Sequence, residues 1–248
     1  YVIDVYRKDI PDADSAVDVL LYVAFFPQLV AGPIVRASEF LPQLYKHVEK
    51  DQIKVAQAAT LILGGLFKKV VIANYLAIQI VDPVFQDPSQ YSSFDTLFAV
   101  YAYAVQIYCD FSAYSDIAIG VAYLFGYEFT INFNHPYRSL SIQEFWRRWH
   151  ISLSTWLRDY LYIPLGGNRK GRLMTYRNLA LTMLLGGLWH GAAWNFVFWG
   201  ALHGGGLAVE RYIAEKRGKR EKTMIGKVVS FLFVFHFVCL TWVFFRAS

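Results

Sequence analysis

The chain has 248 residues, of which 56% are hydrophobic and only 17% are charged. Soluble domains carry about 25% charged residues, so this composition excludes an ordinary soluble domain and predicts a polytopic helical membrane protein. The net charge of +5 does not indicate nucleic-acid binding, because Lys and Arg cluster between apolar runs as they do in cytoplasmic loops. The cysteines, Cys109 and Cys239, lack metal-ligand spacing, so we expect no metal site.

An uncharged segment near the start of the chain, residues 19–35, contains Pro27, Gly32 and Pro33. Such breaks are tolerated at membrane depth only where protein or water satisfies the freed backbone groups. We therefore expect a broken helix beside a cavity.

The next apolar segment, residues 55–81, carries Lys68 and Lys69 in its middle. It either crosses the membrane with both lysines facing protein, or lies along the interface with the lysines reaching toward water. We favour the interfacial helix.

The pattern of residues 94–127 predicts a helix pair or one long bent helix. Two acids of this segment stand among apolar neighbours. Asp110 and Asp116 are costly there unless they are paired or face a polar cavity. We expect them to line or brace the site, and the alternative is that they pair with an arginine and lock helices together.

A capping box at Ser141 and Glu144 begins a helix that we expect to continue to about Tyr162. On a helical wheel, His150 shares an apolar, aromatic face with Trp146 and Trp149. This pattern is typical of an interfacial or re-entrant helix, where a histidine is either functional or simply fills the core.

A basic, glycine-rich turn follows this helix at residues 166–177. Its cations and backbone N–H groups could bind phosphates. A cytoplasmic loop that obeys the charge rule would look the same. The candidate phosphate-binding residues are Arg158, Asn168, Arg169, Lys170 and Arg172.

The longest uncharged run, residues 178–209, contains His190. At about 1.5 Å per helical residue, roughly 32 residues exceed one hydrocarbon core of about 30 Å, so the run must tilt or fold back. Basic residues flank both ends, which predicts a hairpin that enters and leaves by one side. The flanking residues are Arg172, Arg177, Arg211, Lys216, Arg217, Lys219 and Arg220.

His190 lies about 12 residues into this run, which corresponds to roughly 18 Å of depth. A group that titrates near neutrality is costly at mid-membrane and is therefore a functional candidate. A histidine that a neighbouring helix satisfies remains an equally good interpretation.

Five strings, in this order, resemble the membrane-bound O-acyltransferase family, in particular its bacterial branch that O-acetylates alginate and other surface polysaccharides. They are Phe26-Pro27-Gln28-Leu29-Val30-Ala31-Gly32-Pro33-Ile34, Tyr108-x-Asp110-Phe111-Ser112-x-Tyr114-Ser115-Asp116-x-Ala118-Ile119-Gly120, Phe145-Trp146-Arg147-Arg148-Trp149-His150-x-Ser152-Leu153-Ser154, Arg158-Asp159-Tyr160-Leu161-Tyr162-Ile163-Pro164-Leu165-Gly166-Gly167-Asn168-Arg169 and Leu188-Trp189-His190-Gly191. One departure is Ala113, where the family pattern has glycine, so close helix contact is less certain at that position.

The resemblance implies an all-α fold, a polytopic transmembrane bundle with re-entrant and interfacial helices around a central tunnel. It covers nearly the whole chain, yet members of this branch are nearly twice as long. We therefore expect residues 1–248 to form a single partial domain that lacks the N-terminal and C-terminal helices of the full protein.

By resemblance, His190 corresponds to the catalytic histidine of the family and His150 to its second important histidine. Imidazole is the side chain best matched to taking a proton from a sugar hydroxyl near pH 7. The expected donors to the oxyanion are Trp189, Trp194 or Asn195. The predicted tunnel lining comprises Asp110, Ser112, Tyr114, Ser115, Asp116, Trp146, Trp149, Trp189, Trp194 and Asn195.

The implied activity moves an acetyl or other acyl group from a cytoplasmic thioester to hydroxyls of an exported polysaccharide such as alginate, or to a periplasmic relay partner. Acetyl-CoA or an acyl carrier protein is the expected donor, with no bound cofactor, and a periplasmic SGNH-type acetylation protein is the expected partner. We expect a multi-pass protein of the bacterial inner membrane that contacts lipid and no nucleic acid. The alternatives are a D-alanyl transferase for teichoic acid and a non-catalytic transporter or assembly subunit.

Overall fold

The computed structural model describes residues 1–29, 32–49, 53–218 and 223–247, and within these ranges the regular elements are helices without any strand. The all-α class is therefore confirmed. Val30 and Ala31 of the first family-like string, and Lys219 and Arg220 of the basic flank, lie outside the described residues.

Eleven helices are numbered here in chain order. They are α1 (Val2–Tyr6), α2 (Ala16–Ala24), α3 (Phe26–Leu29), α4 (Ala37–Leu44), α5 (Val55–Gln86), α6 (Ser93–Leu124), α7 (Ile142–Trp146), α8 (Ile151–Leu157), α9 (Arg172–His190), α10 (Trp194–Arg217) and α11 (Met224–Arg246). Helix α5 contains two π-helical stretches, Phe67–Ala73 and Ala77–Val81, and another π-helical stretch, Arg158–Tyr162, continues α8. Helix α6 is one long helix, which is one of the two forms predicted for residues 94–127.

The described helices form two compact units. The first unit comprises residues 1–74 and 108–132, and the second comprises residues 75–107 and 133–248.

Aromatic rings form the core of the first unit. Phe40 is fully buried, and the ring centroid of Phe25 lies 4.8 Å from that of Phe40 and 5.7 Å from that of Phe129. Phe25 itself has an extended backbone between α2 and α3. The predicted break in this segment is thus confirmed, but it lies at Phe25 rather than at Pro27, which is inside α3. The cavity expected beside it stays a prediction.

The charged groups in the middle of α5 face protein. The ammonium group of Lys68 pairs with Asp116 and donates to Ser112 at 3.0 Å, and that of Lys69 pairs with Asp110, the acids lying on α6. Both lysines thus have the protein partners that the membrane-crossing alternative requires, rather than reaching toward water as in the favoured interpretation. The position of this helix relative to a membrane stays a prediction.

In the second unit, α9 and α10 form a tight helical hairpin. A side chain at Gly187 would collide with the Phe196 carbonyl, and one at Gly200 would collide with the Met183 carbonyl, so both positions need glycine for this close approach. At the open end, Arg172 Nε lies 3.1 Å from Glu215 Oε2. The predicted hairpin is confirmed, and its basic flanks lie at the same end.

The helix predicted from Ser141 to Tyr162 is interrupted. The Ser141 hydroxyl caps α7 by accepting from the Glu144 N–H at 2.9 Å, but α7 ends at Trp146 and α8 begins only after His150. The Glu144 carboxylate accepts from the Leu140 N–H at 2.8 Å rather than from Ser141.

His150 causes the interruption, because its backbone has left-handed dihedral angles of φ 43° and ψ 56°. Such angles cost a non-glycine residue roughly 1–2 kcal/mol and do not fit a continuing helix. The helical wheel, which assumed one continuous helix, was therefore wrong for the residues after Trp146.

Two helices in the described ranges, α5 and α11, are long and apolar enough to cross a membrane. The hairpin is not one of them, and its transmembrane placement remains a prediction.

Candidate active site

His190 ends α9 at the closed end of the hairpin and lies inside a cluster of aromatic rings. Its imidazole centroid is 5.3 Å from that of Trp199 on α10, with the two planes perpendicular. Trp199 stacks on Trp242 of α11 at 6.0 Å, and Trp242 lies 4.9 Å from Trp149. Rings from three helices and the α7–α8 turn thus surround this end of the hairpin.

His150 joins the same cluster from the turn between α7 and α8. Its ring is 5% exposed and stacks on Phe133 at 6.4 Å, and Phe133 lies 5.0 Å from Trp149. The Ser152 hydroxyl lies 3.5 Å from its Nδ1 atom. The structure therefore brings the two predicted histidines, with Trp146 and Trp149, into one cluster.

A third histidine, His203, is fully buried in this cluster and was not predicted from the sequence. Trp146 Nε1–H donates to its Nδ1 at 3.2 Å, and its Nε2 lies 3.0 Å from the Thr241 hydroxyl. Thr241 donates in turn to the Val238 carbonyl at 2.8 Å. Because Nδ1 accepts, the proton resides on Nε2, so His203 is neutral, fully hydrogen-bonded and suited to holding Trp146 in place.

One signal for this network was present in the sequence. Trp199 and His203 are four residues apart in an uncharged run, so they lie on the same face of α10. Their partners, Trp146 and Thr241, come from distant parts of the chain that no local pattern connects.

A cavity of about 610 Å³ adjoins the cluster within the second unit. Its apolar lining includes Trp146, Leu157, Leu179, Met183 and Leu207. Trp146 therefore contributes to both the cavity and the histidine-containing cluster, with its ring 5.6 Å from Trp199.

The charged side chains of the cavity come from Arg147, Arg158, Glu210, Arg211 and Glu215. Four of them are engaged: Arg158 with Asp159, Arg211 with Glu215, and Glu210 with the Ile142 N–H at 2.6 Å. The Arg211 hydrogen bond holds the pKa of the Glu215 carboxyl below its usual range. Within the described ranges, Arg147 has no side-chain hydrogen bond or ion pair, so its guanidinium is available for an anion.

Of the five predicted phosphate-binding residues, Arg158 lines the cavity. Arg172 is paired with Glu215, and Asn168, Arg169 and Lys170 lie in the turn outside the cavity lining. Asn178 holds this turn by donating to the carbonyls of Leu165 and Gly167 at 3.2 and 2.9 Å. The geometry therefore moves the candidate anion site from the turn to the cavity.

The surroundings of the three expected oxyanion donors differ, and their role stays a prediction. Trp189 is 63% exposed and Trp194 is 76% exposed, whereas the Asn195 amide donates to the Ala247 carbonyl. Trp189 does contact His190, with ring centroids 5.1 Å apart. The chain reverses direction immediately after this histidine.

The remaining predicted tunnel residues belong to the first unit. Asp110 and Asp116 are in the ion pairs with Lys69 and Lys68 described above, which corresponds to the helix-locking alternative with lysines in place of an arginine. Ser115 accepts from the Asn132 amide at 3.0 Å, and the Tyr114 ring lies 5.7 Å from the Lys69 ammonium group. Ser112 accepts from Lys68.

Comparisons with known proteins identify the family of the chain. Residues 9–245 match the family model described as MBOAT, membrane-bound O-acyltransferase family. The chain is 50% identical over its whole length to a protein of Azotobacter vinelandii named "Probable alginate O-acetylase AlgI", and 47% identical over 93% of its length to the peptidoglycan O-acetyltransferase of Helicobacter pylori. These matches cover 48% and 44% of the two relatives, so the chain spans about half their length. A teichoic acid D-alanyltransferase of Streptococcus thermophilus is 34% identical over 77% of this chain and 49% of its own length.

Proposed function

Because this chain belongs to the membrane-bound O-acyltransferase family, we propose that the whole protein transfers an acyl group from a thioester to hydroxyls of an exported polysaccharide. The names of the relatives support acetyl as the acyl group, since the identity to the O-acetylating proteins is 47–50% and that to the D-alanyltransferase is 34%. Alginate is the acceptor suggested by the Azotobacter vinelandii relative. A periplasmic SGNH-type protein that takes the acetyl group as a relay is compatible with the same chemistry.

The observation that carries the proposal is the position of His190. It ends the hairpin half-buried in an aromatic cluster, and Trp146 and Trp199 connect it to a cavity with an available arginine. An enzyme of this kind needs such an arrangement, because a general base must meet the acyl group away from water that would hydrolyse the thioester.

In the proposed reaction, His190 takes the proton of the acceptor hydroxyl as its oxygen attacks the thioester carbonyl carbon. A C–O bond forms and the carbonyl electron pair moves to oxygen, giving a tetrahedral oxyanion. The C–S bond then breaks as the carbonyl re-forms, and the protonated His190 returns the proton to the leaving thiolate. The products are an ester and a thiol, so atoms and charges balance.

We propose that the donor is acetyl-CoA or a carrier-bound acyl group that enters from the cytoplasm, and that the acceptor lies on the other side of a multi-pass protein in the bacterial inner membrane. Full-length protein in sealed vesicles should transfer labelled acetyl groups from acetyl-CoA supplied on one face to polysaccharide supplied on the other. Vesicles in which label reaches the acceptor only when donor and acceptor share a compartment would contradict the through-membrane route.

Arg147 should bind an anionic group of the donor. We expect Arg147→Gln to raise the KM for acetyl-CoA about tenfold with kcat nearly unchanged, because one charge-assisted hydrogen bond to phosphate is lost. Initial rates of full-length protein over a range of acetyl-CoA concentrations measure this. Lys170→Gln is the comparison from the basic turn outside the cavity, and a larger rise in KM for Lys170→Gln than for Arg147→Gln would return the anion site to that turn.

A further inference from the structure

Trp199 has a buried indole N–H that lacks an acceptor. The side chain is 2% exposed, and its Nε1 is one of three buried side-chain polar atoms in the described ranges that have no hydrogen-bond partner. The other two are the amide oxygens of Gln28 and Gln106, which are acceptors, so the Trp199 N–H is the hydrogen-bond donor among the three. Folded proteins leave few such groups unsatisfied, and those that remain are often functional.

The hydrogen-bond acceptors next to Trp199 either bind other groups or make no hydrogen bond with its N–H. Both ring nitrogens of His203 are occupied, Nδ1 by Trp146 and Nε2 by Thr241. The His190 imidazole is perpendicular to the indole at 5.3 Å and receives no hydrogen bond from it. The neighbouring Trp242, in contrast, donates its N–H to the Tyr137 hydroxyl at 3.2 Å.

The position of Trp199 is that expected of a group that meets the acyl carbonyl. On one side its ring contacts His190, the proposed base, and on the other it contacts Trp146, which lines the cavity. Trp199 therefore joins the proposed base to the ring that lines the cavity.

We propose that the Trp199 indole N–H donates a hydrogen bond to the acyl carbonyl oxygen and to the oxyanion that forms from it during attack. The proposal rests on the acyl transfer proposed above. The donor strengthens its bond as negative charge develops on that oxygen and releases it when the carbonyl re-forms, so Trp199 neither gains nor loses a proton.

The N–H is closed to solvent, so the acyl group reaches it when a covering ring moves. Trp146 is the ring of the cluster that also faces the cavity, and its link to His203 is the hydrogen bond from its indole N–H. A thioester carbonyl that enters behind Trp146 would give the Trp199 N–H the acceptor that it lacks.

Substitution of Trp199 tests the proposal in full-length protein. We expect Trp199→Phe to lower kcat about 100-fold, at the low end of the effect of removing one oxyanion donor, with the KM for acetyl-CoA changed less than about threefold. Trp156→Phe, on α8 and outside the cluster, should keep the wild-type kcat, since Trp156 packs on Tyr160. Trp242→Phe removes the hydrogen bond from the Trp242 N–H to the Tyr137 hydroxyl, so it should lower the thermal midpoint.

A second variant separates the N–H from the shape of the ring. Benzothienylalanine at position 199, introduced by site-specific incorporation, replaces the N–H by sulfur and keeps the bicyclic shape. We expect the same fall in kcat as for Trp199→Phe, together with a wild-type thermal midpoint. Wild-type kcat in this variant, or a lowered thermal midpoint with unchanged kcat, would overturn the proposal and leave the acyl transfer intact. A wild-type protein that transfers no acyl group would overturn both.

Discussion

His190→Gln in the full-length protein is expected to abolish acyl transfer while leaving expression and membrane insertion unchanged. Glutamine keeps a polar side chain at the end of α9 but cannot act as a base near neutral pH, and loss of a general base typically lowers the rate by about 10² to 10⁴. Transfer of labelled acetyl groups per mole of purified protein measures the effect.

The matched control is His236→Gln on α11. His236 is exposed, lies in the same unit, and contacts the Leu232 carbonyl through Nδ1 at 2.7 Å, away from the cavity. The control should retain the wild-type rate. Near-normal acetylation by His190→Gln would remove His190 from the role of base.

Substitution of His150 should have the second largest effect, a fall in rate of about 10² or more for His150→Ala. This expectation rests on its place in the aromatic cluster that also contains His190, which suits a residue that positions a substrate near the base. Its strained backbone supports the same view, because such strain persists where function requires it.

Comparison of two variants separates this role from a structural one. Asparagine tolerates left-handed backbone angles better than alanine, so His150→Asn should keep the α7–α8 turn and the thermal midpoint. We expect His150→Asn to be nearly as inactive as His150→Ala but more stable. Recovery of most of the activity by His150→Asn would show that His150 serves only the turn.

The sequence predicted the helical class, the hairpin of α9 and α10, and the two histidines that the structure brings together. Each of these depends on local information, such as an uncharged run between basic flanks or a recognisable string around His190. The break at His150 could not be predicted in the same way, because a helical wheel assumes regular backbone angles and the left-handed residue is not a glycine.

The contacts that complete the site are between distant parts of the chain. His203 joins Trp146, 57 residues earlier, to Thr241, 38 residues later. The Trp199 N–H lacks a partner because the ring nitrogens of the neighbouring His203 already bind these two side chains. The partners of Lys68 and Lys69 are likewise more than 40 residues away on α6. Sequence periodicity records which residues are apolar, but it does not record which polar atoms meet.

The close approach of α9 and α10 has a consequence for how such a protein can diverge. Their spacing depends on backbone atoms at Gly187 and Gly200, whereas the cavity wall depends on side chains such as Leu179 and Leu207. In the proposed function, substitutions in the wall would change the size of the acyl group that the cavity accepts without moving the helix that ends at His190. Single substitutions would then be enough to alter the substrate, while the two glycines keep the spacing of the helices.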